Sequence, residues 1–572
     1  MKKLLVILLI LILIMGLVVA EDSFYPTTIG SLTAQVKLFG NGTISGLKTG
    51  EEVKFQTLTF PESEFQKVKI IEEVLIINGN KIYPKYTLDE FNNKYVSFTI
   101  TQNGDFTYEL IAEVSTSSII YKMSDYNLGT ITGQLKLYTE PSEKVESDST
   151  EIVTLTKNKL LTNSFLDTLN KTILWVNDYV EYAKGSDFQK YYLLQKSAVD
   201  TLLSRKGVCD EFANLAAAML RAKGLPTRLN IGVTFDGQLW GNHAWISVYH
   251  EKYGWIPSDP TFRESGFADA THISLGSYND VTLSIAKAYF PQTANVTFGP
   301  QPLPEVKIIS KQYFDEVQLE SDLSNLTANK WNEVPLKVTN KTNGVLVIPI
   351  SIKETYAEFI IQEKKKSVIL NPGESQIVTF KLFPNLQLSQ NQLAKGFITF
   401  NSLSSPYTKE FTLVPGTMEN EGEIVVNDIT PIAHEGTLKI QVITTNFYPT
   451  DKTFDLNIKD GTFNLNSVEN ISSFQSKTTT KEIPDYNDDA YYVTITTPTT
   501  LFSQTIVPQQ QKVVIVPKEP VKETVIEQKI QHENETNITD KLVENPIIII
   551  IALVMGTAVM LFGLFWVNKR YV

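Results

Sequence analysis

Only one cysteine, Cys209, stands in the 572 residues. A lone thiol cannot close a disulfide within the chain or build a cysteine-rich zinc site, so a stapled scaffold and a zinc ribbon are both excluded. Histidine is almost as scarce, with five residues, and any imidazole chemistry must come from His243, His250, His272, His434 or His532. Positive charge is in deficit: 51 Lys and Arg face 63 Asp and Glu, a net charge of −12. That is the wrong sign for a protein that binds by neutralising phosphates, so no nucleic-acid partner is expected. Glycine and proline show no excess and 42% of residues are hydrophobic, so most of the chain can bury cores. At roughly 150 residues per domain the length predicts three or four domains.

Long apolar runs occur at the two ends. Met1-Lys2-Lys3 precedes an apolar stretch from Leu4 to Ala20, which predicts a signal peptide over residues 1–20. Residues 547–567 are uncharged and followed by Asn568-Lys569-Arg570. About 20 apolar residues match a bilayer core, and basic residues favour the cytoplasmic side. The expectation is one transmembrane helix, a cytoplasmic tail over 568–572 and a large N-terminal ectodomain outside, at the cell membrane. Asn-X-Ser/Thr sequons at Asn41, Asn170, Asn295, Asn325, Asn340, Asn470, Asn534 and Asn537 fit a glycosylated outer surface.

Between the ends the periodicity changes several times. Leu32, Ala34, Val36 and Leu38 alternate with polar residues, as do Val96, Phe98 and Ile100, and Asn103-Gly104 predicts a hairpin into Phe106, Tyr108 and Leu110; the pattern predicts a β-sandwich over 22–138. Residues 139–156 are polar and acidic and read as a linker. Helical spacing follows through Ile173, Val176, Val180 and Ala183. A second helix is predicted from Ala198 with Ser197 as N-cap, and a third from Cys209 to a stop at Gly224 and Pro226. Strand alternation returns in two immunoglobulin-like β-sandwiches, over 305–416 and 422–507, whose segments LKVTN (336–340) and LKIQV (438–442) hint at duplication. Residues 508–545 lack a core pattern and read as a stalk.

The thiol lies in RKGVCDEFANLAAAMLRAKGLPTR, residues 205–228. At a helix start, a sulfur sits near unpaired N–H groups and the positive end of the dipole, which predicts a thiolate-favouring nucleophile. Among the histidines, His243 shares one face of a predicted strand with Trp245, Ser247 and Tyr249. A turn at Lys252 to Gly254 and a short strand through Trp255 and Ile256 lead to Asp259. If the strands pair, Asp259 can orient His243 beside Cys209, giving a nucleophile, a base and an orienting carboxylate. Taken singly, each has a plainer reading: a buried small hydrophobe, a core histidine, a turn-starting Asp. Trp245 and Trp255 read as core. His250, His272 and His434 show no companion pattern.

GVCDEFANLAAAMLRAKGLPTR, HAW at 243–245 and YGW…DPTF at 253–262, in the order Cys, His, Asp, resemble the transglutaminase-like superfamily, in particular its single-span, secreted microbial and archaeal members. The resemblance implies a papain-like α+β domain over about 157–300 flanked by the all-β sandwiches, with Cys209 as nucleophile, His243 as general base and acid, and Asp259 holding the histidine. It implies acyl transfer or hydrolysis on protein or peptide amides through a thioester; the sequence itself offers no cofactor-binding or metal-ligating residues, and calcium dependence is not legible in it. The Cys209 N–H is one expected oxyanion donor, and Trp240 and Gln238 are candidates for a second. Asn242 departs from the small residue usual before the family's histidine. The alternative is a surface scaffold or adhesin whose transglutaminase-like domain only binds.

Overall fold

The computed structural model describes residues 28–118, 133–280, 286–300, 302–353, 358–487, 489–509 and 526–527. The predicted signal peptide, transmembrane helix and tail, with nearly all of the stalk, lie outside the described residues. Among the described residues no helix is long and apolar enough to cross a membrane.

The N-terminal strands are β1 (Ile29–Ser45), β2 (Val53–Leu58), β3 (Gln66–Ile77), β4 (Asn80–Ile82), β5 (Lys85–Leu88), β6 (Lys94–Ile100) and β7 (Gly104–Ser117). They form two sheets around one core, in which Ala34, Val36, Phe55, Phe98 and Phe106 are buried. The turn at Asn103-Gly104 does not make a hairpin. β6 pairs with β2 and β7 with β1 and β3, so the chain crosses between sheets there. Phe98 and Phe106 thereby reach the same Phe55 from opposite layers, with ring centroids 6.1 and 5.6 Å away.

Nor is the sandwich contiguous. Beyond the helical region, β14 (Ala286–Tyr289) pairs with β2, while β15 (Asn295–Phe298) and β16 (Glu305–Tyr313) pair with β1. These returning strands cover open edges of β1 and β2 and bury Ala286, Ala288 and Val296.

The central region carries α1 (Thr150–Lys159), α2 (Phe165–Tyr179), β8 (Glu181–Tyr182), α3 (Ser186–Leu194), α4 (Ala198–Ser204), β9 (Lys206–Gly207) and α5 (Cys209–Ala222). The segment 139–156 is more than a linker: α1 starts within it, capped by the Ser149 hydroxyl, and buries Ile152 and Leu155. Those two apolar residues, three apart, outweigh the acidic flanks. The helical spacing read through Val180 and Ala183 ends sooner, at Tyr179, because Glu181 and Ala183 donate their N–H groups to Arg205 and Gly207. Helix α4 has the expected cap, Asp200 N–H to Ser197 Oγ at 3.2 Å. Helix α5 ends as predicted, with Gly224 at φ +87° and Leu225 N–H bonded to the Leu220 carbonyl.

A four-stranded antiparallel sheet follows, made of β10 (Thr227–Phe235), β11 (Trp240–His250), β12 (Gly254–Ser258) and β13 (Ile273–Tyr278) in the order β12-β11-β10-β13. Ala244, Ile246 and Val248 share the apolar core with Phe212, Ala213 and Ala216 of α5. By alternation His243, Trp245 and Ser247 take the other face. Gly232 pairs with His243, and a Cβ there would lie 2.1 Å from the Ile273 carbonyl oxygen. Gly232→Ala must therefore push β13 away, and a loss of about 1–3 kcal/mol is expected; an unchanged melting temperature would show that the strand has room.

Two sandwiches complete the fold, with four- and five-stranded sheets between residues 317 and 414 and three- and four-stranded sheets between 424 and 506. The hinted duplication has a structural counterpart. Asn340 and Asn446 each close a central strand, are fully buried, and donate Nδ2 to three carbonyls: Gly344, Leu370 and Asn371 in one case, Thr450, Ile471 and Ser472 in the other. The sequon at Asn340 is thus closed to a glycan in the folded chain, and Asn170 is also buried. Asn41, Asn295, Asn325 and Asn470 are exposed. The last sandwich docks on α1 through Ile432, which joins the central core, and through His434 Nδ1 to Glu151 Oε1 at 2.6 Å.

Candidate active site

Cys209 is delivered by a short, tightly specified approach. β8 and β9 pair in parallel, fixing Lys206 and Gly207 just ahead of the N-cap Val208, and Glu211 then folds back over the turn. Its Oε2 accepts Val208 N–H at 2.7 Å and its Oε1 accepts Lys196 N–H at 2.8 Å, satisfying donors that a helix start leaves open. Gly207 is needed for this fold-back, since a Cβ there would lie 2.3 Å from Glu211 Cβ. Burial pushes the Glu211 carboxyl up to about 7, and Asp210 adds to the rise. Glu211→Ala strips both acceptors. A loss of about 1–3 kcal/mol is expected, with faster alkylation of Cys209 by a small thiol reagent; equal alkylation rates would show that the helix start does not depend on this clasp.

β11 and β12 pair as the sequence predicts, with Ile246 opposite Ser258, and the chain leaves β12 directly into Asp259. His243 Nε2 then lies 2.6 Å from Asp259 Oδ2. The imidazole is flanked by Phe262, stacked at 4.9 Å, and by Trp245 at 6.0 Å. Asp259 also starts a turn, its Oδ1 accepting Thr261 N–H at 2.6 Å and Phe262 N–H at 3.3 Å, so the plain reading and the functional one hold for different oxygens of one carboxylate. Asn177 of α2 clamps this turn, donating Nδ2 to the carbonyls of Pro260 and Thr261 at 2.9 Å each.

The structure brings His243 and Asp259 together and sets the Cys209 sulfur against the Ala244 N–H, one residue along from His243. Electrostatics at the thiol oppose the expectation from the helix dipole. Burial pushes the Cys209 thiol well up, and the carboxylates of Asp210, Glu211 and Asp259 push the same way, while the Ala244 N–H favours the thiolate. Dipole stabilisation within the first turn is a fraction of the cost of desolvating a charge. The resting sulfur is therefore a neutral thiol, 5% exposed, bonded to Asp210 Oδ1 at 3.6 Å. Of the expected second oxyanion donors, Gln238 lies exposed in the β10–β11 turn with its N–H on Asp236, and Trp240 leans on Phe235. Asn242 reaches the Tyr192 hydroxyl at 3.5 Å.

His272 belongs to this cluster, although it shows no pattern in the sequence. Its Nε2 lies 3.0 Å from Asp259 Oδ2, the oxygen that also meets His243, and its Nδ1 lies 3.1 Å from Asp269 Oδ1. Glu264 stands 3.8 Å from the same nitrogen. Burial works against a charged imidazole, yet the bonds to Asp259 and Asp269 outweigh it and hold His272 well above the usual histidine range. Burial likewise opposes a charged Asp259, but His243 and His272 hold it below the usual carboxylate range. Glu264, enclosed beside Asp269, is pushed well up. The one sequence signal was the spacing of acids at 259, 264 and 269 immediately before His272. Donor atoms of His243, Asp259 and His272, and of Glu264, Asp269 and His272, converge closely enough to hold a cation, but most already bond one another, and Asp269 also accepts from Thr271 and Ile29.

Residues 154–260 match the family model of the transglutaminase-like superfamily. This segment is a transglutaminase-like domain. It holds the helix start, the β10–β11–β12 hairpins and Asp259, whereas His272, Asp269 and Glu264 lie just beyond it. Solved structures similar to the chain include a Cytophaga hutchinsonii protein described as a cysteine-protease candidate, at 21% identity over 50% of this chain and 94% of that one with a TM-score of 0.36. Red sea bream transglutaminase matches at 10% identity over 82% and 97% with a TM-score of 0.17. At those scores neither carries an argument about activity. No curated protein matches the chain.

Proposed function

We propose that the chain is a membrane-anchored, extracellular cysteine enzyme acting on protein or peptide carboxamides. The observation that supports this best is the His243–Asp259 bond at 2.6 Å, one residue along the strand from the Ala244 N–H that meets the helix-start thiol, within a transglutaminase-like domain. His243 commits Nε2 to Asp259 and so keeps Nδ1 for the thiol. In the proposed reaction the Cys209 proton passes to Nδ1 as the sulfur attacks the carbonyl carbon. The resulting oxyanion is held by the Cys209 N–H at the helix start. Collapse breaks the C–N bond, and the leaving amine or ammonia takes the proton from His243, leaving a thioester on Cys209. Water or an acceptor amine then gives its proton to His243 as it attacks the thioester carbonyl, and collapse breaks the C–S bond, the leaving sulfur taking the proton back from His243. Because the acids around Cys209 disfavour a standing thiolate, charge separation waits for the substrate, whose entry displaces water and brings the oxyanion donors into use.

A second reading, a surface scaffold or adhesin, draws on the enclosure of the thiol, 5% exposed, with the half-buried Tyr182 and Tyr192 close to it. The readings part on one assay: incorporation of a labelled primary amine, or release of ammonia, from a glutamine-bearing protein by the full chain. The enzyme reading expects signal from the wild type and none from Cys209→Ala. Equal signal from both, or none from either across a panel of surface proteins, favours the scaffold.

A further inference from the structure

A cavity of about 260 Å³ lies between the N-terminal sandwich and the face of the four-stranded sheet that carries Trp245 and Ser247. Many of the hydrogen-bonding groups on its walls are spent on neighbouring residues. Asn93 binds Ser277 N–H and the Ser277 carbonyl, Thr116 binds the Ala270 carbonyl, and Asn230 binds Ser247 and Ser277. At the inner end both nitrogens of His272 are taken by Asp259 and Asp269.

Two donors on the sheet face of the cavity are unspent. Arg228 has no hydrogen bond or ion pair to any described residue; its Nε is buried without a partner, and its guanidinium lies over the Trp255 ring at 4.6 Å, close enough to Tyr138 to feel its phenol. Ser247 is 2% exposed and accepts from Asn230 Nδ2 at 2.8 Å, while its own hydroxyl proton goes to no described acceptor. These residues are paired across β10 and β11, so the two donors sit side by side. A second arginine of the same domain shows the contrast: Arg221, 3% exposed where Arg228 is half-buried, donates to the carbonyls of Glu140, Thr227 and Asn279. An enclosed guanidinium without an acceptor is costly, and natural structures pair it.

We propose that this cavity binds a small organic carboxylate, with the guanidinium of Arg228 and the hydroxyl of Ser247 donating to its two oxygens. Arg presents a planar fork that fits a carboxylate with two parallel bonds, and the Trp255 ring holds that fork flat. A single negative charge suits the site better than a dianionic phosphate, because one cation and one neutral hydroxyl face it while Asp269 and the rim residue Glu62 also line the cavity. Burial holds Arg228 down to about 10, still charged at neutral pH, so the ligand is met by a cation.

The test is calorimetric titration and thermal melting of the detergent-solubilised full chain with acetate, propionate and benzoate, each against its neutral amide, and with inorganic phosphate. Expected is a saturable rise in melting temperature with at least one acid and none with its amide. Arg228→Gln should lose that rise, and Ser247→Ala should weaken binding about tenfold, the worth of one hydrogen bond to a charged group. No saturable effect from any of the three acids, an equal effect from an amide, or a response retained by Arg228→Gln overturns the proposal. Phosphate binding tighter than every acid overturns the choice of carboxylate. If Arg228→Gln does not fold, Ser247→Ala and the acid–amide comparison decide the matter.

Discussion

His243→Ala is expected to slow acylation of Cys209 by about 10²–10⁴-fold, the usual worth of a positioned general base, and Cys209→Ala to remove it entirely. The expectation is unusually clean in this chain. With a single thiol in 572 residues, any covalent label from a glutamine-like electrophile reports Cys209 and nothing else, so intact-mass measurement suffices. A histidine that merely packs in a strand would leave the labelling rate unchanged. The structure sharpens the size of the effect: burial and three carboxylates disfavour the thiolate, so at neutral pH hardly any sulfur is ionised without a base. In an enzyme whose cysteine is already a thiolate, loss of the histidine leaves an attacking anion behind; here it leaves a neutral thiol that attacks a carboxamide poorly. Two results would count against the proposed mechanism: labelling of His243→Ala at the wild-type rate, or a wild-type rate that does not rise with pH even with small, unselective reagents.

The parts of the site that were legible in the sequence are those governed by local rules. Ser197 before α4, Gly224 after α5 and the alternation of His243, Trp245 and Ser247 each follow from a cap, a C-terminal glycine or a strand period, and the structure has all of them. What escaped depends on distance along the chain. β14, β15 and β16 complete a sandwich begun some 250 residues earlier, and nothing in their own alternation names the partner. Ile152 and Leu155 hid α1 inside an acidic stretch, since local composition says little about a core assembled elsewhere. The thiol shows the same limit: the helix-dipole argument holds for a solvated helix end, whereas the sign at Cys209 is set by burial and by Asp210 and Asp259. His272 was passed over because its partner, Asp259, lies 13 residues back and has no periodic relation to it.

Asp259→Asn is expected to lower kcat by about 10³–10⁴-fold while leaving substrate binding largely intact, because the amide can no longer fix the imidazole in the tautomer that offers Nδ1 to the thiol. The same carboxylate is the counterion of His272, so stability should respond as well, and pH separates the two roles. Asp259 is held below its ordinary value; its contribution is complete above about 4 and is lost as pH falls through the lowered folded value. His272 is held above its ordinary value; its contribution is complete below about 6.5 and is lost as pH rises through the raised one. Denaturant melts of the wild type across pH should therefore show their greatest contribution from this pair between those limits. His272→Gln removes the alkaline loss and, by taking a cation from Asp259, moves the acid loss to higher pH, while activity falls only about tenfold because the His243 bond survives. A structural histidine that does not act on Asp259 would change the alkaline side alone. Should His272→Gln leave the acid limb where it was, the three-member chain of His243, Asp259 and His272 reduces to a simple pair, and His272 loses its positioning role.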